Sequence, residues 1–192
     1  DPIFDHPDVA FVAPEGEGGY GYYSYPAASK LVTAVGGTTL KLKSDGSYDS
    51  ETAWAPSASF CAGMEKKPSW EADPKCRKRM GADVAMVGDT GTGFAMYDST
   101  PNGSGATGWF LAGGTSLSAS LVTAVYALAG DHAATSMSEL PYERYSADAF
   151  HDVRTGTNGG CKGKGMAAYF CNAGKGYDGP SGLGSPNGIS GF

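Results

Sequence analysis

Gly113-Gly114-Thr115-Ser116 places a serine where a glycine-rich turn enters the apolar run Leu117–Ala129. A nucleophilic serine must be exposed, and glycines let a substrate approach the backbone. A helix beginning here would aim unpaired N–H groups and a positive dipole end at a developing oxyanion. The same position suits a serine that merely caps the helix. A nucleophile also needs a base. The histidines are His6, His132 and His151. His132 falls about 24 Å from Ser116 along a helix rising ~1.5 Å per residue. His6 stands in Asp5-His6-Pro7-Asp8, and His151 directly precedes Asp152. No spacing among them supports the Ser/His/Asp geometry of a subtilisin-type triad.

Carboxylates offer other chemistry. Pro14-Glu15-Gly16-Glu17-Gly18-Gly19 sets two acids in a glycine loop, where they could do acid/base work or stand as solvated charges. Asp152-Val153 and Gly174-Lys175-Gly176-Tyr177-Asp178 combine two carboxylates with glycine-rich backbone. A hard cation such as Ca²⁺ takes six to eight oxygens, and glycine lets carbonyls turn inward. Two surface aspartates in turns are the plainer reading.

The elements that must position these groups are short. Residues 8–13, 31–35, 38–43, 83–87, 94–97 and 109–112 read as strands, with turns at 44–47 and 89–93. Leu117, Leu121, Ala124, Val125 and Leu128 step by three and four, which predicts a helix over 115–129. Thr115 or Ser116 is its expected N-cap and Gly130 its C-terminal glycine. Residues 55–81 read as polar and irregular, and 151–192 as nearly all loop. So long an unstructured stretch implies an organised role such as metal binding. Short apolar strands with an intervening helix favour an α/β layer fold within one domain over residues 1–192.

Composition excludes several classes. Glycine supplies 30 of 192 residues without a three-residue period, so the chain is not collagen-like; 41% hydrophobic residues argue against disorder. Net charge is −6, and a nucleic-acid partner would want a basic face instead. The longest apolar run, residues 121–129, is too short to span a bilayer. No signal peptide is visible, and the opening at Asp1 without Met suggests a processed or partial product. Cys61, Cys76, Cys161 and Cys171 include no close pair of the kind that zinc requires. They point to a secreted, extracellular protein. Three pairings are possible; the neighbour pairing Cys61–Cys76 and Cys161–Cys171 is preferred, because each bridge then closes a short polar loop. Asn102-Gly103-Ser104 is a glycosylation sequon.

Six stretches in order resemble the sedolisin family, the serine-carboxyl peptidases: residues 25–40, 51–54, 82–98, 113–116, 150–153 and 173–188. The cysteine contexts look like the family's actinobacterial branch. The resemblance implies the C-terminal part of a subtilisin-like α/β domain, a mainly parallel sheet flanked by helices with a long calcium loop. It implies Ser116 as nucleophile and Glu17 at the oxyanion carboxyl. It implies one Ca²⁺ held by the Asp152 and Asp178 side chains and the carbonyls of Val153, Gly174 and Gly176. Its substrates would be peptides or proteins.

Three positions depart from the family pattern. The Glu–Asp acid/base pair belongs upstream of the oxyanion loop, so an N-terminal chain or segment must supply it. Glu17 stands where the family has Asp, and Ser120 where it has Pro. The expected function is therefore a secreted serine-carboxyl endopeptidase working at acidic pH, since free carboxyl groups titrate near 4. The alternative is a catalytically inactive binding or inhibitory domain that retains the scaffold and calcium site.

Overall fold

The computed structural model describes residues 1–71, 73–130, 136–161 and 168–192. Its centre is the ten-residue strand β2 (Thr33–Leu42). β1 (Val12–Pro14) runs parallel to the first part of β2, pairing Val12 with Thr33 and Pro14 with Val35. β6 (Val84–Val87) is also parallel, from Val35↔Val84 to Thr38↔Val87. β3 (Tyr48–Ala53) pairs antiparallel with the outer half of β2. The first six residues of β2 are buried and the last two exposed. Continuous burial is what a parallel strand covered on both faces requires.

Residues 31–35 and 38–43, expected as two strands, are thus largely one strand. Gly36 and Gly37 do not turn the chain. A Cβ at Gly36 would lie 2.6 Å from the Pro180 oxygen, and one at Gly37 would lie 2.9 Å from the Trp54 ring. These glycines mark close approach inside a strand. The stretch 55–81, expected to be irregular, instead forms the hairpin of β4 (Phe60–Lys66) and β5 (Lys78–Gly81). Alternation is hidden there by lysines that extend to solvent. β7 (Phe94–Asp98) and β8 (Gly108–Ala112) make a second hairpin, with Phe94, Tyr97, Trp109 and Leu111 exposed.

Helix α1 (Thr115–Ala129) has the expected bounds, and Gly130 closes it in the left-handed conformation. Its buried stripe is Thr115, Ser118, Ala119, Val122 and Tyr126. Of the expected stripe, Val125 packs against the core, Leu117 and Leu121 are half-buried, and Ala124 and Leu128 face outward, Leu128 being 73% exposed. The helix is apolar on nearly every side, so spacing alone does not select the packed face. Val122 and Tyr126 pack with Val35, Val84, Leu140 and Phe150 in one core cluster. Ala13, Ala27, Val32, Ala34 and Phe60 form a second. A short helix α2 (Leu140–Glu143) and the β9–β10 pair (Phe150–His151 with Ser185–Pro186) complete the regular structure. No helix among the described residues is long and apolar enough to cross a membrane.

Candidate active site

Ser116 lies exposed on the first turn of α1. Ser118 donates to the carbonyls of Met86 and Val87, both at 3.0 Å, and Gly114 N–H donates to the Gly88 carbonyl at 2.6 Å. The helix start is thereby pinned to the carboxyl end of β6, where open α/β sheets place their ligands. Gly114 has φ 94°, a conformation that excludes ordinary side chains. It occupies the N-cap position in place of the expected Thr115 or Ser116. Having no side chain, it leaves the first helical N–H to another group.

That group is Glu17. Its Oε1 accepts from Thr115 N–H at 2.6 Å and from Thr115 Oγ1 at 2.8 Å. Thr115 Oγ1 in turn accepts from Gly16 N–H at 3.0 Å. The loop leaving β1 is thus clamped onto the helix that bears Ser116. A carboxyl distant in the sequence supplies the acceptor that the helix N-terminus otherwise lacks. Glu17 is exposed, and its Oε2 makes no hydrogen bond among the described residues.

Glu15 takes the opposite course. It is wholly buried, and neither carboxyl oxygen has a hydrogen-bond partner among the described residues. Burial raises its pKa well above the usual carboxyl range; Asp83 adds to this and Arg79 opposes it. The surroundings form a buried ionic cluster. Arg79 holds Asp83 by two bonds, Nη1 to Oδ1 at 2.7 Å and Nη2 to Oδ2 at 2.5 Å. Asp83 also accepts from Ala34 N–H at 2.7 Å and from the Tyr142 hydroxyl at 2.5 Å. Glu71 Oε2 is 3.7 Å from Arg79, and burial pushes the Glu71 carboxyl up to about 8. Three carboxyl groups therefore share one guanidinium. The sequence reading passed over this cluster. Its signal was present, since Arg79 and Asp83 flank apolar residues in and beside short buried strands, and buried charges require partners.

The residues expected to hold a cation also converge. Gly176 N–H donates to Asp152 Oδ1 at 3.1 Å, and Gly174 N–H donates to Asp178 Oδ2 at 2.8 Å. Asp178 Oδ1 accepts from the Ser181 amide and hydroxyl. Asp178 is 1% exposed and, among the described residues, accepts only from uncharged donors. Desolvation first, with Asp152 adding repulsion, pushes its carboxyl up to about 7. Val153 is buried beside Asp152. Carboxylate and carbonyl oxygens are the ligand type of a hard cation, and one of the two carboxylates, Asp152, is also held by Arg154 Nε at 2.8 Å. Among the described residues no cluster of three or more His, Cys, Asp or Glu could hold a metal, so further ligands would be backbone carbonyls. A cleft of about 620 Å³, lined in part by Tyr48, His151, Asp152 and Lys175, opens beside this loop and not beside Ser116.

Among the described residues no histidine is joined to Ser116. His151 stacks on Tyr48 with ring centroids 3.7 Å apart, and His6 lies against Phe11. His132 falls outside the described residues. The cysteines pair as Cys61–Cys76 and Cys161–Cys171, with Cα separations of 5.8 and 5.9 Å.

A serine on a glycine turn at the carboxyl end of parallel strands, with a carboxyl from the neighbouring loop at the same helix start, defines a subtilisin-like α/β architecture with an acidic site. No profile of a known protein family matches the chain. Sedolisin of Pseudomonas sp. (strain 101) is 31% identical over 179 residues, which cover 84% of this chain and 28% of that protein. Kumamolisin of Bacillus sp. (strain MN-32) is 30% identical over 184 residues, covering 88% and 31% respectively. A solved structure of Pseudomonas sedolisin, a serine-carboxyl proteinase complexed with two molecules of pseudo-iodotyrostatin, matches with a TM-score of 0.71 at 28% identity. That match covers 93% of this chain and 53% of the other. The chain belongs to the sedolisin family and has its subtilisin-like fold. It spans less than a third of the length of the two relatives.

Proposed function

We propose that this chain forms the C-terminal part of a secreted sedolisin-like serine-carboxyl endopeptidase acting on peptide or protein substrates. The observation that carries the reading is the clamp of Glu17 on Thr115, which brings a carboxyl to the turn presenting Ser116. Ser116 Oγ attacks the scissile carbonyl and gives its proton to a glutamate paired with an aspartate, both supplied by a segment outside this chain. Glu17 keeps Oε1 on Thr115 and, with its proton on Oε2, donates a hydrogen bond to the tetrahedral oxyanion. The leaving amine takes the proton from the base, and water then releases the acyl group from Ser116. A protonated donor and a carboxylate base working together favour acidic pH.

Two observations support the missing segment. The outer stripe of α1, including Leu121, Ala124 and Leu128, is apolar yet at least partly exposed, and such a helix usually lies inside a larger core. The chain also covers only 53% of the sedolisin structure that it matches. One Ca²⁺ would be held by Asp152 and Asp178 with the carbonyls of Val153, Gly174 and Gly176. Its role would be to neutralise the two carboxylates and order the loop. The two disulfides suit secretion.

The test compares chain 1–192 with the natural product carrying its upstream segment, on a peptide mixture at acidic pH. The expected result is cleavage by the longer product and feeble cleavage by the chain alone. Ser116→Ala should abolish activity, and Glu17→Ala should lower kcat on the order of 10²–10³-fold, as for an oxyanion donor. A longer product without activity, or activity that survives Ser116→Ala, would favour a binding or inhibitory domain on the same scaffold.

A further inference from the structure

We propose that Glu15 is a proton-dependent latch: its neutral carboxyl seats the Glu15–Glu17 loop in the core, and its ionisation expels that loop and releases Glu17 from α1. The inference concerns the folded site itself and holds whatever reaction the site performs.

Geometry isolates Glu15. A Cβ added at Gly81 would lie 2.1 Å from its Oε1, and one at Gly36 would lie 3.5 Å from its Oε2, so the carboxyl is wedged between β5 and β2. Gly81 leaves room for the carboxyl but supplies no side-chain donor. The ring of Phe60 on β4 abuts the same space. The charged groups that act on it are Asp83 at the start of β6 and Arg79 on β5; Glu71 ahead of β5, Tyr142 on α2 and Tyr177 are coupled to the same Arg79–Asp83 pair. Only Arg79 is cationic. Its Nη1 and Nη2 are committed to Asp83 and to the carbonyls of Met80 and Val32, and its Nε is buried without a hydrogen-bond partner among the described residues. Glu71 is better placed, with Oε1 accepting from Met80 N–H at 2.6 Å and Oε2 facing Arg79. Glu15 has no such compensation. An ionised carboxylate in that position would have neither a counter-charge of its own nor a hydrogen bond, and expulsion to water is the available relief.

The mechanical link is short. Gly16 N–H donates to Thr115 Oγ1, and Glu17 Oε1 accepts from Thr115. Withdrawing Glu15 therefore pulls on both bonds at once. Burial raises the proton affinity of Glu15 in the folded state above that of the unfolded chain. The folded state then binds more protons, so stability is present at acidic pH and falls as pH rises past the ordinary carboxyl range.

The test is amide hydrogen exchange of the described chain across pH about 4 to about 8, with protection taken relative to intrinsic rates. In the wild type, protection at Gly16 and Thr115 should fall about tenfold per pH unit above the onset, the slope of one linked proton. Glu15→Gln should remove that slope, with Glu15→Met as the second variant where the amide N–H groups are not accommodated. Glu71→Gln should leave it. An absent slope in the wild type, an unchanged slope in the Glu15 variants, or failure of both neutral variants to fold would overturn the latch.

Discussion

Asp83→Ala tests the buried cluster most directly. The Asp83 carboxylate accepts two bonds from Arg79, one from Ala34 N–H and one from the Tyr142 hydroxyl. Removing it leaves a guanidinium with 0% exposure facing two carbonyls and the more distant Glu71. Breaking a buried pair in this way costs about 3–5 kcal/mol. The orphaned Ala34 N–H belongs to the same network, so its loss is not added as an independent quantity. For a domain of this size each kcal/mol moves Tm by about 2–4 °C, which gives a fall of about 6–20 °C. Thermal unfolding followed by circular dichroism at pH about 5 measures this, provided that the transition is two-state. The double variant Arg79→Met, Asp83→Leu removes both charges and fills similar volume, so it should recover most of the loss. A fall of less than about 3 °C in the single variant, or a double variant no better than the single, would refute the uncompensated-charge reasoning.

If calcium occupies the loop at about 100-fold above its Kd, it stabilises by about 2.7 kcal/mol. A chelator should then lower Tm by roughly 5–11 °C, and Asp178→Ala should abolish that response. Replacing Cys61 and Cys76 together by Ala should cost roughly 3 kcal/mol from loop closure, read as a lower denaturant midpoint. Thr115→Val removes the hydroxyl shared by Glu17 and Gly16 and should cost about 1–3 kcal/mol, measured by thermal unfolding. An unchanged Tm would show that the clamp carries no energy.

Local patterns were legible in the sequence where a single element decides them. The bounds of α1 followed from its apolar run and Gly130, and the strands at 84–87, 94–98 and 108–112 from short apolar stretches. The packed face of α1 was not legible, because Leu117 and Val122 are equally apolar and only the sheet chooses between them. Gly36 and Gly37 read as a turn because a sequence does not show that Pro180 and Trp54 will crowd them. The positions of Ser116 and Glu17 were legible as motifs, but their coupling through Thr115 spans 98 residues and appears only in three dimensions. Arg79 was hidden for a related reason: a lysine- and arginine-rich stretch looks like solvated surface until one of its charges is found against Asp83.

Glu15 and Glu17 show how one residue decides the fate of its neighbours. In an extended strand, positions two apart point to the same face. Continuing β1 through Gly16 would therefore send both carboxyls into the core or both to solvent. Gly16 has φ 92°, which turns the chain between them, and a Cβ there would lie 2.8 Å from the Tyr22 ring. The turn drives Glu15 inward beneath β2 and leaves Glu17 free to reach Thr115. Gly16 N–H, aimed at Thr115 Oγ1, then fixes the turn against the helix. The chemical difference between a buried acid without partners and an exposed acid at a helix start thus comes from backbone geometry at a position with no side chain. The glycines of this loop serve the placement of charge.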